Sequence, residues 1–280
     1  MEKTLKKYFS IFVLPTLIAF FIAFVIPFAM GLYLSFCEFT TVSNATFVGF
    51  SNYAKAFTDS GFLNAMGFTV KFALVAIVSI NVFAFAVALL LTKGLKGTNL
   101  FRTVFFMPNL IGGIVLGYIW QSIINGVLVY YEVTMLVDAT YGFWGLVILI
   151  NWQMIGYIMI IYIAGLQNVP GDLIEAGEID GANKWQSLFQ IKIPVLMPSI
   201  TICLFLTIAN TFKMFDQNLA LTGGGPSNKT TMMALDIYNT FYGRTGYEGV
   251  GQAKAVIFFV IVAAIAVTQV VMSRSKEVDS

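Results

Sequence analysis

The chain has 280 residues, of which 58% are hydrophobic and only 11% are charged, and its net charge is +2 at pH 7. A soluble domain carries about 25% charged residues, so this composition indicates a protein that lies largely in lipid. Histidine is absent and the two cysteines fall in different apolar blocks. These counts argue against a metal site, a catalytic site and a disulfide framework.

The first apolar run extends from Ile11 to Cys37 and follows three lysines. A signal peptide also begins with positive charge, but its apolar region spans about 7–15 residues and ends at a small-residue cleavage site. This run is longer and has no such site. We therefore predict a first membrane helix, bent by Pro15 and Pro27, within an N-terminal segment that comprises residues 1–67.

Five further apolar runs reach or approach the ~20 residues that cross a bilayer. They are Phe72–Thr92, Thr103–Asn125, Gly142–Leu166, Pro198–Leu219 and Ala255–Ser273. The sequence thus predicts an all-α membrane protein with six transmembrane helices, a five-helix core over residues 68–273 and a short tail at 274–280. Lys213 and Asp216 fall inside the fifth run, where we expect them to share a helix face at the outer membrane surface.

The distribution of lysine and arginine predicts the orientation of the chain. One side of the membrane receives ten of these residues, including those of both termini, and the other side receives six over longer connections. Both termini and the loop at 172–198 are therefore predicted to be cytoplasmic, in a multi-pass protein of the cell membrane.

The loop at 172–198 is polar and acidic at its start, and it separates two apolar runs. Asp172 is predicted to cap a first helix, Gly181 to allow a sharp turn, and residues Ala182–Gln190 to form a second helix. Pro194 and Pro198 are then expected to end that helix. A folded helix-turn-helix between two spans predicts a docking surface.

This loop resembles the EAA loop of binding-protein-dependent ABC importer permeases, whose pattern is E-A-A, three residues, G, nine residues, I-x-L-P. Here Glu175 and Ala176 begin the pattern, while Gly177 replaces the second alanine and Ile193 the leucine. Three other stretches resemble the carbohydrate branch of these permeases, of the maltose and glycerol-phosphate types. They are FVGFSNYAKAF, LFRTVFFMPNLIGGIVLGYIW and LTGGGPSNKTT.

The resemblance implies the type I ABC importer permease fold and a loop that couples the chain to a separate ATPase. In that reading Glu175 makes a charged contact, Gly181 forms the turn, and Ala182 and Phe189 make apolar contacts. The alternative is that the acidic residues only keep a loop in solvent. The candidate coupling residues are Glu175, Ala176, Gly177, Asp180, Gly181, Ala182, Phe189, Ile191 and Pro194.

The chain lacks the G-x-x-x-x-G-K-[ST] pattern of phosphate-binding loops, and its Gly-Gly-Gly-Pro run at 223–226 is predicted to be a tight outer turn. The resemblance implies that ATP and Mg are bound by two partner ATPase subunits. It also implies a second permease subunit as heterodimer partner and an extracytoplasmic sugar-binding protein in a prokaryote, with no nucleic acid partner. A secondary transporter or channel working without ATP is the alternative, and a membrane assembly factor is a third.

Polar side chains on the fourth and fifth predicted spans suggest a sugar site. Uncharged sugars need hydroxyl and amide partners together with aromatic faces. Because residues four apart share a helix face, two pairs are candidates, and the resemblance to maltose-type permeases matches Tyr157 and Thr207 to contacting positions. The alternative is hydrogen bonding between helices. The candidate substrate residues are Gln153, Tyr157, Thr207, Asn210 and Thr211.

Overall fold

The computed structural model describes residues 12–274, and almost every element in that range is a helix. The helices are α1 (Leu14–Leu34), α2 (Ser51–Thr58), α3 (Ser60–Leu91), α4 (Thr98–Phe106), α5 (Gly113–Leu128), α6 (Ala139–Gln167), α7 (Gly171–Ile179), α8 (Lys184–Val195), α9 (Met197–Phe212), α10 (Asp216–Leu221), α11 (Met233–Gly243) and α12 (Glu248–Arg274). Two short antiparallel strands, β1 (Cys37–Glu38) and β2 (Thr46–Phe47), form a hairpin with Cys37 opposite Phe47. The predicted N-terminal lysines and the tail beyond Arg274 lie outside the described residues.

Five helices in the described range are long and apolar enough to cross a membrane by themselves. A sixth span results if α8 and α9, which are bent by 73° at Leu196, are counted together. The prediction of an all-α membrane protein is therefore confirmed, and the predicted six spans correspond to the upper count.

Two of the predicted spans are broken, and here the sequence prediction was wrong. The run Thr103–Asn125 is divided by a 3₁₀ turn at Met107–Leu110, after which Gly112 is extended before α5 begins. Pro108 in that turn cannot donate a backbone hydrogen bond, which favours the break. The run Pro198–Leu219 is also divided, because α9 ends at Phe212 and the chain resumes helical structure only in α10. Lys213 and Asp216 consequently do not share a helix.

Prolines inside helices are preceded by π-helical stretches. Pro27 in α1 follows the π-helical residues Phe21–Val25, and Pro194 in α8 follows Ser187–Lys192. A proline leaves the carbonyl four residues earlier without its donor and clashes with it. Those carbonyls belong to residues 23 and 190, both inside the widened stretches. The wider turn accommodates each proline without ending the helix at that residue.

The described residues divide into two compact units, one comprising residues 12–62 with Ile237–Phe259 and the other Leu63–Asp236 with residues 260–274. The first unit thus joins the N-terminal segment to residues from α11 and α12, an association that the predicted division at residue 67 did not include. Long-range packing, rather than chain order, defines these units.

The core of the second unit lies between α3, α6 and α9. On α3 the fully buried residues recur every four positions and form a stripe: Phe72, Ala76, Ile80, Ala84 and Ala88. The alanines in this stripe allow close helix packing, as small residues do in membranes. α6 is the most buried of the long apolar helices: 61% of its most apolar 18-residue segment is buried inside the protein. It carries the polar residues described below.

Candidate coupling loop and polar membrane cluster

The first half of the candidate coupling loop, residues 172–198, lies in α7, which ends in a Schellman motif. Asp180 is the C-cap, and Gly181 has a left-handed φ of +82°. Ala182 N donates to Gly177 O at 2.9 Å and Gly181 N donates to Glu178 O at 3.1 Å, the two bonds that define the motif. The predicted turn at Gly181 is thus present. The predicted cap is not, because Pro170 is the N-cap and Asp172 lies in the first turn, where its charge favours the helix dipole.

The second half of the loop begins with a capping box. Asn183 Oδ1 accepts hydrogen bonds from Trp185 N and Gln186 N, while Gln186 Oε1 accepts one from Asn183 N at 2.8 Å. The second helix therefore begins at Lys184, two residues later than predicted, and continues past Gln190 to Val195.

The two prolines also differ from their predicted role as helix ends. Pro194 lies within the last turn of α8, and Pro198 lies in the first turn of α9. A proline in a first turn lacks an N–H that would have no intrahelical partner, so it is well tolerated there.

Gly177 allows the two halves of the loop to pack closely. A Cβ at this position would lie 2.5 Å from Ile191 Cδ1, closer than two carbon atoms tolerate. Glycine at this position therefore accommodates the Ile191 side chain where it lies in this structure, although the family pattern combines alanine and isoleucine at these two positions. Of the predicted coupling residues, Ile191 thus packs within the loop.

The outer surface of the loop combines acidic and apolar side chains. Glu175 is exposed and forms no ion pair within residues 12–274. Ile179, Trp185 and Phe189 are 86%, 71% and 60% exposed, and the last two rings stack with centroids 6.1 Å apart. Of the remaining candidates, Ala176 and Asp180 are exposed, while Ala182 and Pro194 are partly buried.

Ile179 and Trp185 were not among the predicted coupling residues. The available signal was the presence of two large apolar side chains within the polar stretch 178–186.

Gln153 on α6 connects the two places where the predicted spans are broken, before α5 and before α10. It is 8% exposed, its Nε2 donates to Ile111 O at 3.3 Å, and its Oε1 accepts from Gln217 Nε2 at 2.8 Å. One amide therefore joins the residues before α5 to the first turn of α10. Tyr157, four residues further along α6, is partly buried and packs against the core.

The candidate residues on α9 are hydrogen-bonded inside the helical bundle. Thr207 and Thr211 are fully buried, and their hydroxyls donate to Cys203 O at 2.8 Å and Thr207 O at 2.7 Å. Asn210 Nδ2 donates to Leu206 O at 2.8 Å. These bonds use hydrogen-bonding capacity that a sugar contact would require, and the role of these residues in sugar binding stays a prediction.

Asn81 on α3, which was not among the candidate residues, joins three helices. Its Nδ2 donates to Thr207 Oγ1 on α9 at 3.0 Å, and its Oδ1 accepts from Tyr162 OH on α6 at 2.7 Å. A polar network across three apolar helices fixes their register and rotation relative to one another.

The glycine-rich segment forms a tight turn, as predicted. Gly223 and Gly224 have φ values of +55° and +84°. Asn218 on α10, fully buried, holds the segment from inside: its Nδ2 donates to Thr230 O at 2.8 Å and its Oδ1 accepts from Met232 N at 2.9 Å. The glycine-rich turn is thereby attached to α10, the helix that follows the break after Phe212.

Comparison with known proteins agrees with this architecture. Residues 80–277 match the family described as "Binding-protein-dependent transport system inner membrane component". The chain is 43% identical over 97% of its length to 96% of the "Probable starch degradation products transport system permease protein AmyD" of Thermoanaerobacterium thermosulfurigenes. It is 32% identical, over 99% of both chains, to the "Multiple sugar-binding transport system permease protein MsmF" of Streptococcus mutans.

A solved structure shares the fold across nearly the whole chain. It is the crystal structure of a bacterial alginate ABC transporter in complex with an alginate pentasaccharide-bound periplasmic protein. The match has a TM-score of 0.81 at 19% identity and covers 98% of this chain and 96% of the other. The predicted type I permease fold is confirmed, and the chain belongs to the family of binding-protein-dependent transport system inner membrane components.

Proposed function

We propose that this chain is a permease subunit that imports a carbohydrate with energy from ATP hydrolysed on partner chains. Its partners are a second permease subunit, two ATP-binding subunits and an extracytoplasmic sugar-binding protein in the cell membrane of a prokaryote. Closure of the ATPases draws the coupling loops together, and the attached spans open the pathway toward the binding protein. ATP and Mg belong to the ATPases, since the sequence of this chain has no phosphate-binding loop.

The coupling loop is the observation that carries this proposal. Its backbone is fixed by the Schellman motif at Gly181 and the capping box at Asn183, so its surface is preorganised. That surface presents Ile179, Trp185 and Phe189 to solvent. Large exposed side chains on a rigid polar loop favour docking into a groove on another protein.

The charge of the loop indicates the chemistry of that groove. Glu175 is exposed next to three other acidic residues: Asp172, Glu178 and Asp180. An apolar groove bordered by arginine or lysine would complement this arrangement, with Glu175 in the charged contact. When the groove of the partner moves, the loop should move with it as one rigid unit. The reason is that α7 and the π-helical stretch of α8 pack against each other through Gly177 and Ile191.

The carbohydrate substrate is supported by the names of the relatives. AmyD is named for starch degradation products and MsmF for multiple sugars. The absence of charged residues from the runs 72–92, 103–125 and 142–166 also favours an uncharged polar cargo over a proton-coupled route. The excess of basic residues in the loops on one side of the membrane supports a cytoplasmic location for the coupling loop and both termini.

Copurification and reconstitution test this proposal. The chain, expressed with the products of its neighbouring genes, should elute in mild detergent with a second permease and an ATPase. In proteoliposomes, sugar-loaded binding protein should stimulate ATP hydrolysis several-fold. The variant Ile179→Ser/Trp185→Ser should lose the ATPase, whereas Val42→Ser, at an apolar side chain that is 58% exposed on another loop, should retain it. Sugar uptake by the chain alone, without ATP, would establish a secondary transporter instead.

A further inference from the structure

Helix α2 has two different faces. Asn52 and Ala56, four residues apart, are buried, while Phe57 and the N-cap residue Phe50 are 55% and 74% exposed. Phe50 and Phe57 are seven residues apart and therefore lie on one side of the helix. The helix thus presents phenylalanine rings outward and an amide inward.

The inner face of α2 is attached to the end of α1. Asn52 Nδ2 donates to Ser35 O at 3.1 Å and to Cys37 O at 2.8 Å. Tyr53 OH and Ser35 Oγ are 2.7 Å apart and share a hydrogen bond. Because these bonds fix the rotation of α2, Phe50 and Phe57 cannot turn inward without breaking them.

The exposed rings extend into a larger aromatic surface. Phe47 on β2 is 68% exposed, and its ring centroid lies 6.4 Å from that of Phe36. The Phe36 ring in turn lies 5.3 Å from Phe50 and 5.1 Å from Tyr53. We call the exposed set Phe47, Phe50 and Phe57 the aromatic patch.

The position of the aromatic patch in the chain indicates what covers it. α2 lies between the end of α1 at Leu34 and the start of α3 at Ser60, and both of these helices are candidate membrane spans. The aromatic patch is therefore at a membrane surface. It is also continuous along the chain with α1, a candidate membrane span whose rings Phe20, Phe24 and Phe28 stack on one another and are exposed.

We infer that α2 is an interfacial helix and that the aromatic patch inserts into the lipid bilayer at the level of the headgroups. Helices of this kind place their apolar face about 5–10 Å into the boundary between headgroups and acyl chains. Lys55, the one charged residue from Phe47 to Thr58, is exposed and can extend its ammonium to lipid phosphates. The anchor would hold the residues that precede α3 at a fixed depth.

Spin labels at single cysteines test this inference in the full chain reconstituted in phospholipid vesicles. The variants are Phe50→Cys, Phe57→Cys and the control Ser43→Cys, which lies in the exposed 3₁₀ turn of the hairpin. Native Cys37 and Cys203 are buried, so they contribute little labelling. The label at 50 or 57 should collide with oxygen several-fold more often, relative to a water-soluble nickel chelate, than the label at 43.

Equal collision ratios at residues 43, 50 and 57 would overturn the inference, because the aromatic patch would then lie in water. If the chelate reaches residues 50 and 57 freely until sugar-loaded binding protein is added, the aromatic patch docks that protein instead of lipid. Protection by the free sugar alone would indicate a carbohydrate platform and would overturn the inference as well. Because Phe50 and Phe57 are tested separately, misfolding of one variant leaves the other to decide.

Discussion

Lys254 Nζ lies 2.9 Å from Asp59 Oδ2, and the lysine is fully buried. The ammonium also donates to Thr240 Oγ1 at 2.7 Å and lies 5.1 Å from the centroid of the Phe62 ring. Three kinds of partner thus compensate the removal of this charge from water. Within the first unit, the pair connects the residue before α3 to the second turn of α12.

Removing the lysine should destabilise the protein strongly. Lys254→Met leaves the Asp59 carboxylate, only 17% exposed, without its buried partner and with the half-exposed Arg244 as its ionic contact, and losing one partner of a buried pair costs about 3–5 kcal/mol. The free energy of unfolding in detergent micelles measures this loss. Arg244→Met, which removes the half-exposed second partner of Asp59, should cost less than about 1 kcal/mol.

The double variant Asp59→Asn/Lys254→Met should recover part of that loss. Asparagine keeps the Oδ1 atom that accepts from Gly61 N at 2.8 Å, and it introduces no unpaired charge. If Lys254→Met is as mild as Arg244→Met, the pair contributes little and its burial is incidental.

The pH dependence of stability should report the same pair. Burial raises the pKa of Asp59, but the hydrogen bond and charge of Lys254 and the amides of Gly61 and Phe62 outweigh it and hold the pKa below its usual 3.8. The unfolded chain therefore binds this proton at a higher pH than the folded chain does. The stabilisation from this pair is therefore complete above the usual pKa of 3.8, and it is lost as the pH falls from there through the lower pKa of the folded chain. Unfolding measured from pH 6 to pH 3 should show a smaller acid loss in Asp59→Asn.

The contact between Gly177 and Ile191 predicts a compensating pair of substitutions in the coupling loop. Gly177→Ala, which restores the alanine of the family pattern, brings a Cβ to 2.5 Å from Ile191 Cδ1, the far end of a flexible side chain, so Ile191 has to move and ATPase copurification should weaken slightly. Ile191→Val removes that Cδ1 atom, so the double variant should recover binding and sugar-stimulated ATP hydrolysis. Normal coupling in Gly177→Ala alone would mean that the loop adjusts without cost at this contact.

Charge reversal tests the polar side of the same surface. Glu175→Lys should leave the protein inserted in the membrane but reduce ATP-driven uptake, since it places a cation where the proposed groove carries basic residues. Glu38→Lys, which reverses an exposed carboxylate on the β-hairpin outside the loop, is the control. Equal uptake in both variants and the wild type would remove Glu175 from the charged contact.

The helices themselves were predictable from the sequence because long apolar runs have few alternatives in lipid. The break after Phe106 was less visible, since Pro108 and Gly112 lie in a long run that has no charged residue. Hydropathy measures composition and does not detect where backbone hydrogen bonds stop. The same limit concealed the end of α9 at Phe212.

Long-range partners could not be predicted in this way. Asp59 and Lys254 are 195 positions apart, and nothing in either local stretch indicates a buried pair. Asn81 and Thr207, 126 positions apart, are hydrogen-bonded for reasons equally invisible in a single sequence. The coupling loop was more accessible, because its turn at Gly181 depends on residues within a few positions.

Labelling of single cysteines should establish the orientation of the chain. Cysteine in place of Asn228, exposed in the glycine-rich turn, should react with an impermeant thiol reagent in whole cells. Cysteine in place of Lys96, exposed between α3 and α4, should react only after the membrane is permeabilised. The opposite pattern would invert the topology and place the coupling loop outside the cell, away from any ATPase.

The sugar path is tested by two tyrosines on α6 that differ in their hydrogen bonding. The Tyr162 hydroxyl donates to Asn81 Oδ1 at 2.7 Å, whereas the Tyr157 hydroxyl forms no hydrogen bond within residues 12–274. Tyr157 therefore retains the capacity to bind a sugar that Thr207 and Thr211 use inside the bundle. One hydrogen bond to an uncharged ligand contributes about 0.5–1.5 kcal/mol.

Tyr157→Phe should consequently raise the KM for sugar about two- to tenfold, or change which sugars pass, without reducing assembly of the complex. Tyr162→Phe removes the same atom from the same helix but should reduce thermal stability and leave the KM unchanged, since it breaks a bond between helices. Transport kinetics in proteoliposomes and the unfolding temperature of the purified complex separate the two effects. If Tyr157→Phe behaves like Tyr162→Phe, Tyr157 is a packing residue and the sugar contacts lie on the second permease subunit.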